Sequence, residues 1–590
     1  MRRIVVTLML LTAMLVAHAE IDPTLALTKS LVAIRVSNPE QQLTVFAPLL
    51  ELVDGLIESG KLRQQSNLPQ MQSASEALRE GFGLLKKIPG VNAEGDIWVV
   101  FMAPPPGSTP LFAPKDPKAP VDTTKQPPSY LILPLRDPAA FRAFLAAPHP
   151  ESPKPVLGVV CGNYGVLALT GPRPNFSNIA FDIPLVSHFG IVLSFQVGNF
   201  DFNVLQANAP PFFAQLLTPV NTVLQEKKQN IKRAEVGVTM EDNDLLSEAF
   251  LLPVPGSPLD KATNSPEADG LAMEYAGYLP PNLSYCGAGG PMLPGAAGAG
   301  NNLLRIGFGI LGQFMVPDAA ATFTDSFNKV MAQCDQGRAL GITAPAGKGT
   351  GPTTLVAIYH TSGEQAAKTA MRGFFNGLTQ SRDAVMGGML SNTVAFAMKP
   401  GAEMVSGVPV DLVTITIIPP APATHSTTGG GNGKKAPGAE FTPPASTPIT
   451  MVGRIGYLND KMLVSFGKNS TAEMEGMLAR IRLKTPGYTA SPRFQTFKKL
   501  LPPKVRGFET FSTLDLSHTA ANLIPDSKEK KDLNGYLSTF PSQRTVINTY
   551  QEMQPGQLHV VLRMPDEQLR YIYTLLKTAI MMAPAKPAAK

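Results

Sequence analysis

Apolar and polar positions along the chain follow two different periods. In the first, runs of about six to ten residues are β-branched or alternate between apolar and polar residues, and short polar turns join several runs in pairs. Two such pairs are 158–170, with a turn at Gly162 and Asn163, and 453–467, with a turn at Asn459 and Asp460. These pairs predict antiparallel β-hairpins.

The second period is helical. Apolar residues recur every three or four positions in the segments 43–57, 366–378, 471–483 and 566–582. Met474 and Met477 belong to one of these stripes, and we interpret them as core residues. Groups of strands separated by helices predict an α+β fold of two related domains, each a mainly antiparallel sheet with helices packed on one face.

Several runs occur twice in the same order, which predicts an internal duplication. Residues 30–41 and 354–365 are identical at six of twelve positions. Further corresponding landmarks are 95–104 with 391–400, the two hairpins, 189–195 with 507–514, 234–240 with 545–551, and 245–252 with 557–564. We therefore predict one α+β domain in residues 20–270 and a second in residues 271–590.

Two segments interrupt the pattern of strands and helices. Residues 104–128 are rich in proline, and residues 419–448 contain several glycines and prolines. Segments of this composition bury too little apolar surface to offset their ordering entropy. We expect both to be flexible loops, at near-equivalent places in the two halves.

The first nineteen residues have the three parts of a signal peptide. Arg2 and Arg3 precede an apolar run, 4–16, which ends at a small-residue site, Ala17-His18-Ala19. The run is shorter than the roughly 20 helical residues that cross a bilayer. We expect cleavage after Ala19 and a periplasmic or secreted protein with no transmembrane segment after cleavage.

Charge argues against a nucleic-acid partner. Removal of Arg2 and Arg3 lowers the formal net charge from +6 to +4, and the remaining basic residues form only short clusters. With 44% hydrophobic and 16% charged residues, the chain has enough apolar side chains for large cores.

Metal, nucleotide and nucleophile motifs are missing from the sequence. The histidines after the signal peptide are isolated, at positions 149, 188, 360, 425, 518 and 559. Segment 341–350 resembles a phosphate loop but has the wrong glycine spacing, and the acidic residues of 241–244 fit a tight turn better than a calcium loop. We predict no catalytic, cofactor-binding or metal-binding residue and no cofactor.

Other single residues leave the function open. Trp98 is the one tryptophan and lies in an apolar run, so we expect it to pack in the core. Of the three cysteines, Cys161, Cys286 and Cys334, one must stay unpaired, and the sequence leaves open a bridge between Cys286 and Cys334.

A resemblance to a known group of proteins rests on four segments. They are the hairpin at 454–466, the helix start at 470–475, Ser491-Pro492-Arg493-Phe494 and Leu500-Leu501-Pro502. The chain resembles uncharacterised exported proteins of planctomycete and verrucomicrobial type that share a domain of unknown function. The resemblance covers most of 450–525 and, more loosely, the whole mature chain. It implies an exported protein and no catalytic residue.

These observations favour an exported soluble protein that acts by non-catalytic binding or scaffolding in the periplasm or cell envelope. One alternative is a hydrolase of envelope or polymeric substrates whose active site is assembled only in the fold. The other is a carrier of a lipid or another apolar ligand, suggested by 23 methionines and modest charge. The expected partner is accordingly an envelope protein or an apolar ligand.

Overall fold

The structure is a computed structural model. It describes the ranges 24–58, 73–102, 128–147, 156–170, 178–181, 188–199, 228–264, 271–290, 332–334, 337–343, 353–380, 394–417, 449–503, 505–523, 528–540 and 545–582, and a few single residues or pairs between them. The predicted signal peptide, 1–19, and the predicted loops 104–128 and 419–448, apart from Pro128, lie outside these residues.

Twenty strands are found in the described residues. They are β1 (Thr24–Ala26), β2 (Ser30–Val36), β3 (Ile97–Met102), β4 (Ser129–Pro134), β5 (Gly158–Cys161), β6 (Tyr164–Thr170), β7 (Asn178–Ala180), β8 (Ile191–Phe195), β9 (Ile231–Glu241), β10 (Asp244–Pro253), β11 (Leu283–Gly289), β12 (Arg338–Thr343), β13 (Thr354–His360), β14 (Val394–Val405), β15 (Val408–Ile417), β16 (Ile449–Leu458), β17 (Lys461–Gly467), β18 (Gly507–Phe511), β19 (Ile547–Gln554) and β20 (Gln557–Met564).

The α-helices of the same residues lie between groups of strands. They are α1 (Pro39–Val45), α2 (Ala47–Glu58), α3 (Ala74–Lys86), α4 (Pro138–Ala146), α5 (Pro258–Thr263), α6 (Leu271–Tyr278), α7 (Glu364–Gln380), α8 (Ser470–Leu483), α9 (Pro492–Lys498), α10 (Thr513–Leu523), α11 (Lys528–Leu537) and α12 (Asp566–Met582).

Local sequence explains several of these boundaries. Asp137 begins α4 by accepting hydrogen bonds from the backbone N–H groups of Ala139 and Ala140 at 2.9 and 3.0 Å, which satisfies donors that a helix start leaves unpaired. The predicted helical segments 471–483 and 566–582 are confirmed by α8 and α12. Within the described residues, every helix falls short of the length and apolar character needed to cross a bilayer.

The described residues group into two compact units. One unit draws on 1–272, 284–306 and 491–590, and the other on 273–283 and 307–490. The predicted boundary between residues 270 and 271 separates duplicated halves of the sequence and stays a prediction.

Twelve strands of the first unit form one antiparallel sheet, which confirms the α+β class. Its order is β5-β6-β4-β3-β2-β8-β9-β10-β20-β19-β18-β11. The neighbours β10 and β20 come from distant parts of the chain. Their pairing joins two blocks of four strands, β2-β8-β9-β10 and β20-β19-β18-β11.

The outer strands β3 to β6 are buried on both faces. On one face, the ring of Phe141 of α4 packs against Gly165 so closely that a Cβ at Gly165 would lie 2.5 Å from the ring. Phe141 belongs there to a cluster with Leu133 and Leu167. On the other face, Trp98 and Val100 pack with residues of β1 and β7. Trp98 therefore lies in the core, as predicted.

The two four-stranded blocks have the same connectivity and the same register. When the β9–β10 turn is laid on the β19–β20 turn, the registers carry Ile191–Phe195 onto Gly507–Phe511 and Ser30–Val36 onto Leu283–Gly289. The mapped strands β8 and β18 have five residues each and β2 and β11 seven each, whereas β9 and β10 extend further from their turn than β19 and β20. In this alignment Glu248 corresponds to Val561, its own partner across β10 and β20, so a local two-fold axis passes between them.

The second unit has a six-stranded antiparallel sheet in the order β12-β13-β17-β16-β15-β14. Strand β13 pairs with β12 and with the hairpin β16–β17 and is followed by α7. In the first unit it is β4 that stands in this relation to β3, to the hairpin β5–β6 and to α4. The landmark that aligned β2 with β13 is therefore wrong as a structural correspondence, because the two strands occupy different sheet positions.

The expectation of helices on one sheet face is also wrong for the second unit. Met371 and Phe375 of α7 pack in a cluster with Ile455 and Tyr457 of β16. Met474 of α8 lies at the opposite face, 3.4 Å from the position of a Cβ on Gly456. Helices cover both faces because neighbouring β17 residues, Met462 and Leu463, are both apolar and point to opposite sides.

Candidate functional site

In the described part of the first unit, a group of titratable side chains lies on one sheet face at the β10–β20 junction. Side chains alternate along a strand, so Glu248 and Phe250 of β10 share this face with His559 of β20. Tyr550 and Glu552 of the next strand, β19, share it too. We name these five residues the seam cluster.

His559 is held between two carboxylates. Its Nε2 lies 3.1 Å from Oε2 of Glu248 and its Nδ1 lies 3.6 Å from Oε2 of Glu552. Because a carboxylate can only accept, Nε2 carries a hydrogen and donates it to Glu248. Nδ1 also faces the side-chain nitrogen of Gln554 at 3.5 Å, which donates at 3.2 Å to Glu552.

Aromatic rings fix the orientation of this imidazole. Phe250 stacks on it with centroids 4.4 Å apart and ring planes 8° from parallel, while Tyr550 approaches edge-on at 6.5 Å. The side chains of His559 and Glu248 are 11% and 21% exposed. The imidazole is thus nearly enclosed, with one carboxylate on each side.

The same contacts change the acidity of two neighbours. The hydrogen bond from His559 lowers the pKa of Glu248, and the charges of His559 and His188 act in the same direction, against the effect of burial. Burial raises the pKa of Tyr550, and the carboxylates of Glu248 and Glu552 raise it further. The site therefore favours an ionised Glu248 and a neutral Tyr550.

A second ionic link crosses the same junction. Asp244 accepts a hydrogen bond from Nε of Arg563 at 2.9 Å and another from the backbone N–H of Asp566 at 3.0 Å. Asp242 and Asn243 have φ values of 52° and 68° and form the turn predicted for 241–244. The acidic residues of this segment therefore serve a turn and a cross-strand ion pair.

This arrangement fixes an imidazole between two carboxylates. Glu248 and Glu552 face opposite ring nitrogens, so the two carboxylates and the ring do not converge on one point where a cation would sit. Among the described residues, no group of three or more histidine, cysteine, aspartate or glutamate side chains has metal-binding geometry. The pair of Glu248 and His559 has the composition of an acid–base dyad, but Glu552 and Gln554 occupy the nitrogen that would act on a substrate.

The second unit has its own buried ion pair. Asp411 is 2% exposed and accepts from Nε and Nη2 of Arg372 at 2.9 and 2.7 Å and from the backbone N–H of Gly401 at 2.7 Å. The hydrogen bonds to Asp411 raise the pKa of Arg372. On the opposite face, Arg454 donates to both oxygens of Glu403 at 2.7 and 3.1 Å. The first pair joins α7 to β15 and the second joins β14 to β16, and in both pairs the charges are compensated.

The other histidines lie apart from the seam cluster, with the exception of His188, whose charge acts on Glu248. His360 of the second unit lies 3.6 Å from Asp460, and burial lowers the pKa of His518 on α10. His149 and His425 lie outside the described residues.

The phosphate-like segment and the cysteines show no ligand-binding arrangement in the described residues. Residues 341–343 end strand β12, and the rest of 341–350 lies outside these residues. Cys161, Cys286 and Cys334 are buried free thiols, so the bridge left open between the last two is not formed.

Comparison of the chain with protein families, with curated proteins and with solved structures finds no match. The seam cluster therefore rests on its geometry alone. The sequence contains one signal for this cluster that the sequence analysis did not use: Glu248 and His559 are ionisable residues with apolar neighbours inside strands, in Glu248-Ala249-Phe250 and Leu558-His559-Val560. A polar residue on a buried strand needs a partner, but the sequence does not say which one.

Proposed function

We propose that this chain is an exported, non-catalytic binding or scaffolding protein of the periplasm or cell envelope, built from two copies of one α+β unit. The export part is supported by the sequence of residues 1–19. The other parts are supported by the sheet register and by the contacts of the seam cluster.

The duplication is supported by the coincidence of strand order and pairing register. Four strands in each block have the same order, and three pairing registers map β2, β8, β9 and β10 onto β11, β18, β19 and β20. Each copy then carries an insertion between its first two strands, with the order β3-β4-β6-β5 in one and β12-β13-β17-β16 in the other. In each insertion a helix follows the second strand. Under this proposal the second copy has strands in both compact units, so the boundaries of the copies differ from those of the units.

The non-catalytic role is carried by one observation: the polar groups of the seam cluster bond to each other. Both nitrogens of His559 have partners, and the carboxylates of Glu248 and Glu552 accept from His559 and Gln554. A catalytic group must present an atom to a substrate. Side chains that use their donors and acceptors on one another act as a joint between the two copies.

The proposal is tested in two parts, location and chemistry. The full chain with a C-terminal tag is produced in a diderm bacterium, and the tagged protein is purified from cytoplasmic and periplasmic fractions. We expect an N-terminus at Glu20 in the periplasmic fraction. An uncleaved chain retained in the cytoplasm would contradict export.

The alternative is an envelope-polymer hydrolase, which the pairing of Glu248 with His559 favours. Purified protein is assayed against peptidoglycan, polysaccharide, ester and peptide substrates beside His559→Gln, with His360→Gln as the matched control. We expect no turnover that depends on His559. Turnover abolished by His559→Gln and kept by His360→Gln would establish the hydrolase and refute the scaffold.

A further inference from the structure

The two most exposed large apolar side chains in the described part of the chain belong to the second unit. Met404 is 67% exposed and Leu483 is 71% exposed, whereas the other exposed large apolar residues range from 38% to 49%. Met404 stands next to the β14–β15 turn, and Leu483 is the last residue of α8. Two such residues at neighbouring chain reversals suggest a contact surface.

A hydrogen bond joins these two reversals. Nη1 of Arg482 donates to the backbone oxygen of Ser406 at 2.6 Å, which attaches the end of α8 to the β14–β15 turn. Ser406 and Gly407 have positive φ values of 47° and 75°, as a two-residue hairpin turn requires. The turn beside Met404 and the helix end that carries Leu483 are therefore linked to each other.

The charges beside these residues are positive. Arg482 and Lys484 flank Leu483 in sequence, and both are exposed. The nearest acidic residue along β14, Glu403, is bound by Arg454, and Asp460 at the adjoining β16–β17 turn pairs with Lys461 at 2.7 Å. The apolar pair is thus bordered by cations, while the neighbouring carboxylates are compensated.

An apolar tip bordered by cations fits one kind of surface. Apolar side chains enter the boundary between headgroups and acyl chains, while lysine and arginine bind anionic headgroups. We propose that Met404, Arg482, Leu483 and Lys484, named the tip patch, dock the protein on an anionic lipid membrane. This inference rests on the envelope location proposed above and names the surface that the protein binds there.

The test is vesicle co-sedimentation of the chain beginning at Glu20, because the apolar run 4–16 would bind lipid by itself. Vesicles contain either phosphatidylcholine alone or phosphatidylcholine with phosphatidylglycerol. The variants are Met404→Ser with Leu483→Ser, and Lys484→Glu. Leu576→Ser is the control, since Leu576 is an exposed leucine, 49% accessible, in the first unit. Thermal unfolding confirms that each variant is folded.

We expect binding to the anionic vesicles that weakens with salt. The double serine variant should bind about tenfold more weakly because it loses apolar insertion, and Lys484→Glu about tenfold because it reverses one charge near the surface. Leu576→Ser should bind like the wild type.

Equal binding to both vesicle types, no binding, or an equal loss in Leu576→Ser would overturn the proposal. So would self-association of the wild type that the double serine variant removes without any vesicle binding, which would assign the tip patch to a second copy of the chain. Fractionation tests export separately, so vesicle binding by a chain found in the cytoplasm would refute the location and keep the tip patch.

Discussion

The contact between Glu248 and His559 gives the sharpest test of the seam cluster, through a double-mutant cycle of Glu248→Gln and His559→Gln. Both substitutions keep a polar side chain of similar reach and remove the charge-assisted bond. Hydrogen bonds to charged groups contribute about 1.5–3 kcal/mol. The two side chains are 21% and 11% exposed, so solvent screens part of this, and we expect a coupling free energy of about 1–2 kcal/mol at pH 7.

The same cycle has a defined pH dependence. The hydrogen bond from His559 lowers the pKa of Glu248 in the folded protein from its ordinary value of 4.5. A carboxyl with a lowered folded-state pKa contributes stability that is fully present above its unfolded-state pKa and is lost as the pH falls through the folded-state value. The stability difference between wild type and Glu248→Gln should therefore shrink as the pH falls below about 4.5.

Urea unfolding measured by Trp98 fluorescence is the assay. Trp98 is the only tryptophan of the chain, is 6% exposed, and lies in the sheet of the first unit, so its emission reports the unit that contains the seam. Free energies are measured at pH 7 and in steps from pH 5 to pH 3. A coupling below about 0.3 kcal/mol, which is within the additivity of independent sites, would refute the argument, as would a stability difference that stays constant down to pH 3.

Three further predictions follow from buried contacts. Gly237→Ala should destabilise the first unit by about 1–3 kcal/mol, because a Cβ at this position stands 2.5 Å from the ring of Phe189; Gly198→Ala, with nothing within 4 Å of its Cβ, is the control, and equal urea midpoints for the two would contradict the clash. Arg372→Ala should destabilise the second unit by about 2–4 kcal/mol, which is less than the full cost of leaving a buried charge unpaired because Arg372 is 35% exposed. In thermal unfolding the melting temperature of Arg372→Lys should lie between those of the wild type and Arg372→Ala, since lysine cannot make the bidentate bond. An unchanged melting temperature of Arg372→Ala would contradict this prediction. Ellman's reagent should react slowly with the native chain and with three thiols once urea is added, because all the cysteines are buried and free and burial raises the pKa of Cys286; rapid native reaction would contradict their burial.

Elements that are determined by residues close together in the sequence were predictable. The hairpins at 158–170 and 453–467 appear with their turns at the expected residues, since Gly162 and Asn459 adopt the positive φ that such turns need. Helices α8 and α12 follow from their apolar period. In each case the information lies within about twenty residues of sequence.

Strand partners were not predictable in the same way, because the sheet joins strands that are far apart in the chain. His559 and Glu248 are separated by 311 positions, and Arg563 and Asp244 by 319. Alternation shows that a strand has a buried face but does not identify the strand beside it. The seam cluster depends on such a pairing, so the sequence showed its members as isolated polar residues.

The misplaced landmark has a physical cause of the same kind. The match of 30–41 with 354–365 pairs two largely buried strands that are each followed by a helix, and in both the identities fall on apolar residues of the strand and on the start of the helix. Any central strand followed by a helix demands those residue types, so the similarity reports a common environment. The register of hydrogen bonds carries independent information, because a shift of one residue would turn every side chain to the other face. The register places β2 on β11, and the residues that it aligns differ: Ala33 falls on Cys286 and Ile34 on Gly287. If the proposed duplication is correct, the copies have kept their strand pairing after losing that sequence similarity.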